Sequence, residues 1–193
     1  ITQEVRVASN YDSDLQWQVG AFYFDSSLDV TSDDGFYGAT TVYHENMSYA
    51  VFGQASFDLS PELTVTGGVR YTYDEKSLDV GAQNVNGFAL EISAASIQEY
   101  DPIDIDDDRI SYEGSINYLL SDNASVFGRV AKGFRAQSIQ ARDVAFEGSP
   151  SVADSETIKS IEVGYKADLL DKTLRVNTAI YYYKIDDLQL TAV

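Results

Sequence analysis

Leu63-Thr64-Val65-Thr66-Gly67-Gly68-Val69-Arg70-Tyr71-Thr72-Tyr73-Asp74 is the stretch that decides the fold. In an extended strand successive side chains point to opposite sides. Leu63, Val65, Gly67, Val69, Tyr71 and Tyr73 therefore share one face, and Thr64, Thr66, Gly68, Arg70, Thr72 and Asp74 share the other. The first face is apolar over its whole length and the second is polar. The alternation continues to Asp79, longer than the ~9–11 residues a tilted strand needs to cross a bilayer.

The same period recurs on both sides of this segment. Tyr49, Val51, Gly53, Ala55, Phe57 and Leu59 oppose Ala50, Phe52, Gln54, Ser56 and Asp58. Downstream, Ile110, Tyr112, Gly114, Ile116, Tyr118 and Leu120 oppose Ser111, Glu113, Ser115 and Asn117. Two further runs start at Ser160 and at Leu174, and strands are also expected at about 2–10, 15–27 and 124–136. Period-2 patterning of this kind is the strand signal, and it gives about eight strands.

Connections alternate in length. Tyr11–Asp14, Ser60-Pro61-Glu62, Ser121-Asp122-Asn123 and Leu170-Asp171-Lys172 are short and rich in turn residues. Those at roughly 28–46, 80–108 and 137–157 are long. This rhythm belongs to an antiparallel up-and-down meander within an outer-membrane β-barrel, with short periplasmic turns and long external loops. Phe88, Ile92 and Ala95 have helical spacing inside the second long loop. Tyrosines near strand ends, at Tyr71, Tyr73 and Tyr181–Tyr183, fit interfacial girdles. Lys132 and Lys184 fall on the apolar face near the loop-side end, where long side chains can snorkel.

Composition narrows the function. A net charge of −18 argues against nucleic-acid partners, which need a basic face. The acid collects in Asp29–Asp34 and Glu99–Asp108, read here as solvated loops. Cysteine is absent, which removes disulfides and thiolate metal sites. No apolar run reaches the ~20 residues of a membrane helix, and the mean hydropathy of −0.21 is compatible with alternating barrel strands. Catalytic motifs are lacking: no phosphate loop or nucleophile elbow occurs, and the single histidine, His44, is expected in a loop beside Glu45. No cofactor is expected. The aspartates at 101–108 could gather calcium, but they lack the spacing of an EF-hand.

Several segments, in order, resemble strands of TonB-dependent receptors. They include Gln3-Glu4-Val5-Arg6-Val7-Ala8-Ser9 and Trp17-Gln18-Val19-Gly20-Ala21-Phe22-Tyr23-Phe24. Leu63–Thr72 resembles the family's Gly-Arg-Tyr strand, and Ser125–Arg135 resembles the one ending in Lys-Gly-Phe. Glu162-Val163-Gly164-Tyr165-Lys166 and Ile180–Gln189 continue the likeness, which covers nearly the whole chain. Three departures stand out. Ala136-Gln137-Ser138 replaces the Gly- or Pro-containing loop start often found after the Lys-Gly-Phe strand. The plug domain and energy-coupling box are absent, and the chain ends Leu190-Thr191-Ala192-Val193 rather than on a final aromatic strand.

The resemblance implies a bacterial outer-membrane transporter for a nutrient such as an iron–siderophore, cobalamin or an oligosaccharide. Implied partners are outer-membrane lipid and lipopolysaccharide, the imported ligand, and the TonB energy-coupling complex acting through the plug. Eight strands in 193 residues use ~24 residues each, so a barrel of ~22 strands needs roughly 530. Residues 1–193 are thus expected to be a partial barrel domain. A complete eight-stranded structural or adhesive barrel is the alternative, and it would pair the first strand with the last. On the polar face, Arg70, Glu113, Arg129 and Glu162 are the candidate ligand-binding residues, with Arg6 and Arg175 on the same side.

Overall fold

The computed structural model describes residues 1–190 except 34, 37, 82, 93–95, 142–143 and 145–147. Eight strands follow one another in a single antiparallel meander. They are β1 (Thr2–Ala8), β2 (Leu15–Asp33), β3 (Gly38–Ser60), β4 (Leu63–Val80), β6 (Ile103–Ser121), β7 (Ala124–Arg135), β10 (Glu156–Leu169) and β11 (Leu174–Asp186). The connections carry minor elements. Strand β5 (Asn84–Val85) pairs with β3, α1 (Gly87–Glu91) follows it, and β8 (Ser138–Gln140) pairs with β9 (Ser151–Ala153). Asn86 caps α1, its side chain accepting from the backbone N–H of Phe88 at 2.9 Å. The expected helix is therefore present, with Ile92 at its C-cap; Ala95 lies outside the described residues, as do 191–193.

Strands β1 and β11 form the two edges of the sheet, and no ladder joins them among the described residues. The closed eight-stranded barrel is not formed. Pairing in a meander is dictated by the short turns, and two of these carry a bulge, at Asp58/Ser60 and Leu119/Ser121.

The apolar side chains of this sheet are turned outward. Val69 is 54% exposed, Val163 59% and Ile180 82%; Tyr71 and Ile116 are exposed beside them, while Arg70, Glu113 and Asn117 alternate with them onto the other face. A soluble sheet would bury these residues, whereas a barrel turns them to lipid.

Where the outward face changes from apolar to charged, the chain marks its own membrane boundary. The last aromatic before acid is Tyr23 on β2, Tyr49 on β3 and Tyr73 on β4, and these three form one paired row. On β7, β10 and β11 the last apolar residues are Val130, Ile161 and Tyr182, again one row, which continues through Gly114 to Gly67. Gly67 lies six residues below Tyr73 on β4. Averaged over the six steps from β2 to β11, the boundary thus slips about one residue, ~3.3 Å, for each ~4.8 Å step, all of it between β4 and β7. That slope is roughly 35°, within the tilt expected of membrane barrels.

Three expectations need correction. Residues 28–33 and 38–46 are strand, not loop, so β2 and β3 rise as one tall hairpin. The acid of Asp104–Asp108 lies in β6, with Asp104, Asp106 and Asp108 on the outer face and Asp107 on the inner. Outside the bilayer the outer face turns acidic and the inner face apolar, so the period is inverted while the hydrogen-bond ladder continues. The alternation also splits the carboxylates, and no group of three metal-ligating side chains forms among the described residues. Of the three consecutive tyrosines only Tyr182 points outward; Tyr181 and Tyr183 face inward and stack at 6.3 Å between ring centroids.

Above the membrane level the inner face becomes apolar. Val42 and Leu78 are buried there with Ala141 and Val144, and Ile103 and Ile139 pack against them. The segment after β7 is thereby folded back over β3, β4 and β6, and Lys76 Nζ donates to the Gln137 carbonyl at 2.5 Å. His44 belongs to this region, paired in register with Leu28 and Leu78 rather than lying in a loop. Burial holds its imidazole below the usual value. The unfolded chain therefore binds the proton more readily. Stability from this group is complete above the unfolded pKa of ~6.5 and declines as pH falls from there through the lower folded value. Amide exchange at Leu28, His44 and Leu78, corrected for intrinsic rates, is expected to quicken on going from neutral to mildly acidic pH. The same pH response in His44→Leu would dismiss the histidine as its cause.

Candidate functional site

The polar face of the meander carries a cavity of about 550 Å³. Arg70 on β4, Glu113 on β6 and Arg129 on β7 line it, together with Arg6, Gln18 and Phe52. Each reaches the cavity because it alternates with an outward apolar neighbour: Arg70 between Val69 and Tyr71, Glu113 between Tyr112 and Gly114, Arg129 between Gly128 and Val130.

Arg70 is held in an unusual way for a cation. Its guanidinium lies over the Phe22 ring at 5.0 Å and the Phe52 ring at 5.6 Å, and Nε donates to Thr72 Oγ1 at 3.1 Å. Among the described residues it makes no ion pair. Arg6 also lies against the Phe52 ring, at 5.7 Å, and is paired with Glu4. Ring quadrupoles attract cations without cancelling their charge. The aromatic pair therefore orients Arg70 and leaves it able to receive an anion.

Arg129 behaves differently. Glu113 and Glu162 flank it on the neighbouring strands, and its Nη2 donates to Glu113 Oε2 at 2.6 Å. Glu162, the fourth expected residue, does not line the cavity. Arg175 is engaged near the β10–β11 turn by both carboxylate oxygens of Asp168, at 2.6 and 3.1 Å. The Arg129–Glu113 pair is half exposed, with side-chain accessibilities of 51% and 41%, and such pairs contribute ~0–1 kcal/mol. Glu113→Gln is expected to shift folding free energy by less than ~1 kcal/mol in urea titrations; a much larger loss would make the pair structural rather than available to a ligand.

Four residues escaped the sequence reading of this site: Phe22, Phe52, Gln18 and Gln54. Gln18 Nε2 donates to Gln54 Oε1 at 2.8 Å across β2 and β3. Their position on the polar face was visible in the alternation. That Phe22 and Phe52 meet Arg70, and that Gln18 meets Gln54, depends on cross-strand register.

A family model described as the TonB dependent receptor-like β-barrel matches residues 2–193. The chain belongs to the TonB-dependent receptor family. It is 26% identical over 156 residues to the pesticin receptor of Yersinia pestis, covering 80% of this chain and 21% of that protein. To the rhizobactin receptor of Rhizobium meliloti (strain 1021) it is 30% identical over 150 residues, covering 69% and 20%. The chain thus spans about a fifth of the length of these curated relatives. Among solved structures, it is similar to the ferric yersiniabactin uptake receptor FyuA of Yersinia pestis, with a TM-score of 0.79 at 21% identity. That superposition covers 98% of this chain and 29% of FyuA. The eight-strand meander is therefore part of a larger barrel in the bacterial outer membrane, in a family of transporters rather than enzymes.

Proposed function

We propose that this chain forms about a third of the barrel wall of a receptor that imports an anionic iron–siderophore. The carrying observation is Arg70, fixed by Phe22 and Phe52 over a lumen-side cavity with its charge unpaired. Arg129, on exchanging Glu113 for a ligand carboxylate or hydroxamate oxygen, would add a second donor. Planar guanidinium groups suit such oxygens because they donate two parallel hydrogen bonds. The name of FyuA and its ferric cargo favour iron–siderophore over cobalamin or oligosaccharide. In this reading the energy-coupling complex acts through a plug seated against the same polar face.

The test is uptake by cells whose ferric receptor is the intact protein, with radiolabelled iron presented on a panel of siderophores. Uptake from at least one is expected. The double variant Arg70→Ala, Arg129→Ala should weaken that ligand by roughly a hundred- to ten-thousandfold, since each lost charge-assisted contact costs ~1.5–3 kcal/mol. Absence of uptake from every siderophore, with cobalamin or an oligosaccharide imported instead, would overturn the ligand assignment.

A further inference from the structure

Asp187 follows the end of β11 with a left-handed φ of 58°, a conformation that aspartate adopts more readily than most residues. The chain leaves the ladder there and turns back across β10. Two residues on, Gln189 meets both roots of the connection between β7 and β10. Its side-chain Nε2 donates to the Ala136 carbonyl at 2.9 Å and to the Asp154 carbonyl at 2.8 Å. Its Oε1 accepts from the Ser138 hydroxyl at 3.3 Å, and its backbone N–H donates to Glu156 Oε2 at 3.0 Å. A glutamine amide has two N–H donors, and both are used here on carbonyls from opposite ends of one connection.

That connection forms a strap. Its β8–β9 hairpin starts from these roots, and its Ala141 and Val144 cover Val42 on β3 and Leu78 on β4. The wall holds it at two further points: Lys76 on β4 donates to the Gln137 carbonyl, and Asp107 on β6 accepts from the Ser155 hydroxyl. The cavity residue Arg70 lies six positions below Lys76 on β4, and Ser111 lies four below Asp107 on β6. The strap therefore stands between the outside and the cavity. A small apolar contact and single hydrogen bonds are the make-up of a segment that opens separately from the sheet.

We propose that Gln189 is a latch joining two successive external connections, so that the strap leaves the lumen wall only together with the segment that follows β11. If the strap moved alone, the bonds from Gln189 to Ala136, Ser138 and Asp154 would break. If both segments move together, those three survive. Only the bond from the Gln189 backbone N–H to Glu156, on the fixed strand β10, is then lost, and that amide reports the motion. The inference is independent of which nutrient is carried.

The test is hydrogen exchange on the intact receptor in detergent, resolved to single amides and corrected for intrinsic rates. In the unaltered receptor the protected amides of β8 and β9 and the Gln189 amide are expected to share one protection factor, within about threefold, as amides of one opening unit do. Lys76→Met keeps the side-chain length and removes the donor to Gln137. It should speed exchange at β8, β9 and Gln189 alike, by about fivefold for the one hydrogen bond lost, and leave the β7 and β10 ladders unchanged. In a Gln189→Met background the same Lys76→Met change should speed β8 and β9 but no longer the amide at position 189. Separate protection of Gln189 and the strap in the unaltered receptor would overturn the proposal, and this comparison stands even if a variant fails to fold. So would a Lys76→Met receptor whose Gln189 amide is unmoved, or coupling that persists in the double variant. Faster exchange throughout β7 and β10 would overturn it too, making these side chains supports of the whole sheet.

Discussion

Ile116→Arg is expected to destabilise the folded barrel by ~2–4 kcal/mol in folding titrations into bilayers, the cost of a cation near the midplane on a lipid-facing strand. Ile116 lies in β6 between the upper boundary at Ile110 and the lower turn after Ser121, in a row with Val65, Gly128, Val163 and Ile180. It is 47% exposed, so the penalty is lipid contact rather than a clash in a core. Depth decides the size of the effect. Tyr112→Arg, on the same strand and face but level with Lys132, should cost only ~0–1 kcal/mol because the side chain reaches headgroups. Equal costs at the two positions, or a negligible cost at Ile116, would show that this face does not meet hydrocarbon.

Gly164→Val is expected to cost ~1–3 kcal/mol, as overpacking does. Gly164 pairs with Phe127 on one side and Ala179 on the other, and the Phe127 ring lies over the glycine where a Cβ would stand. The Thr178 carbonyl oxygen would sit 2.9 Å from that carbon. The ring can swing away, although it is also covered by the Lys166 ammonium at 5.0 Å. The carbonyl belongs to the β10–β11 ladder and cannot move as freely. Phe127→Ala in the same chain should therefore recover part of the loss and leave the carbonyl's share. Full recovery would locate the strain in the ring alone, and strictly additive losses would mean that the two residues do not interact. Gly20 under Phe52 repeats the arrangement, with the Val5 carbonyl oxygen 2.8 Å from the same point. Aromatic cover of a cross-strand glycine is a recognised way to pin register.

The sequence by itself determined which face each residue of a membrane-level strand belongs to. Leu63–Asp74 could be sorted residue by residue because a period of two is a property of the single strand, and Ile116, Val163, Arg70 and Glu113 all lie on the expected sides. The four short turns were legible from Pro61, Asp122 and Asp171 and their neighbours, and antiparallel neighbour pairing follows from short turns. The tall β2–β3 hairpin was not legible, because above the membrane the faces exchange character, Val30 and Val42 turning inward and Asp29 and Glu45 outward, while the ladder continues. Register was equally hidden. It takes two strands to define it, and it decides that Glu162 and Glu113 both come beside Arg129, that Phe22 and Phe52 meet Arg70, and that Lys159 falls between Lys132 and Lys184. Alternation gives each side chain a direction; only the hydrogen-bonded sheet gives it a neighbour, and the candidate site is made of neighbours.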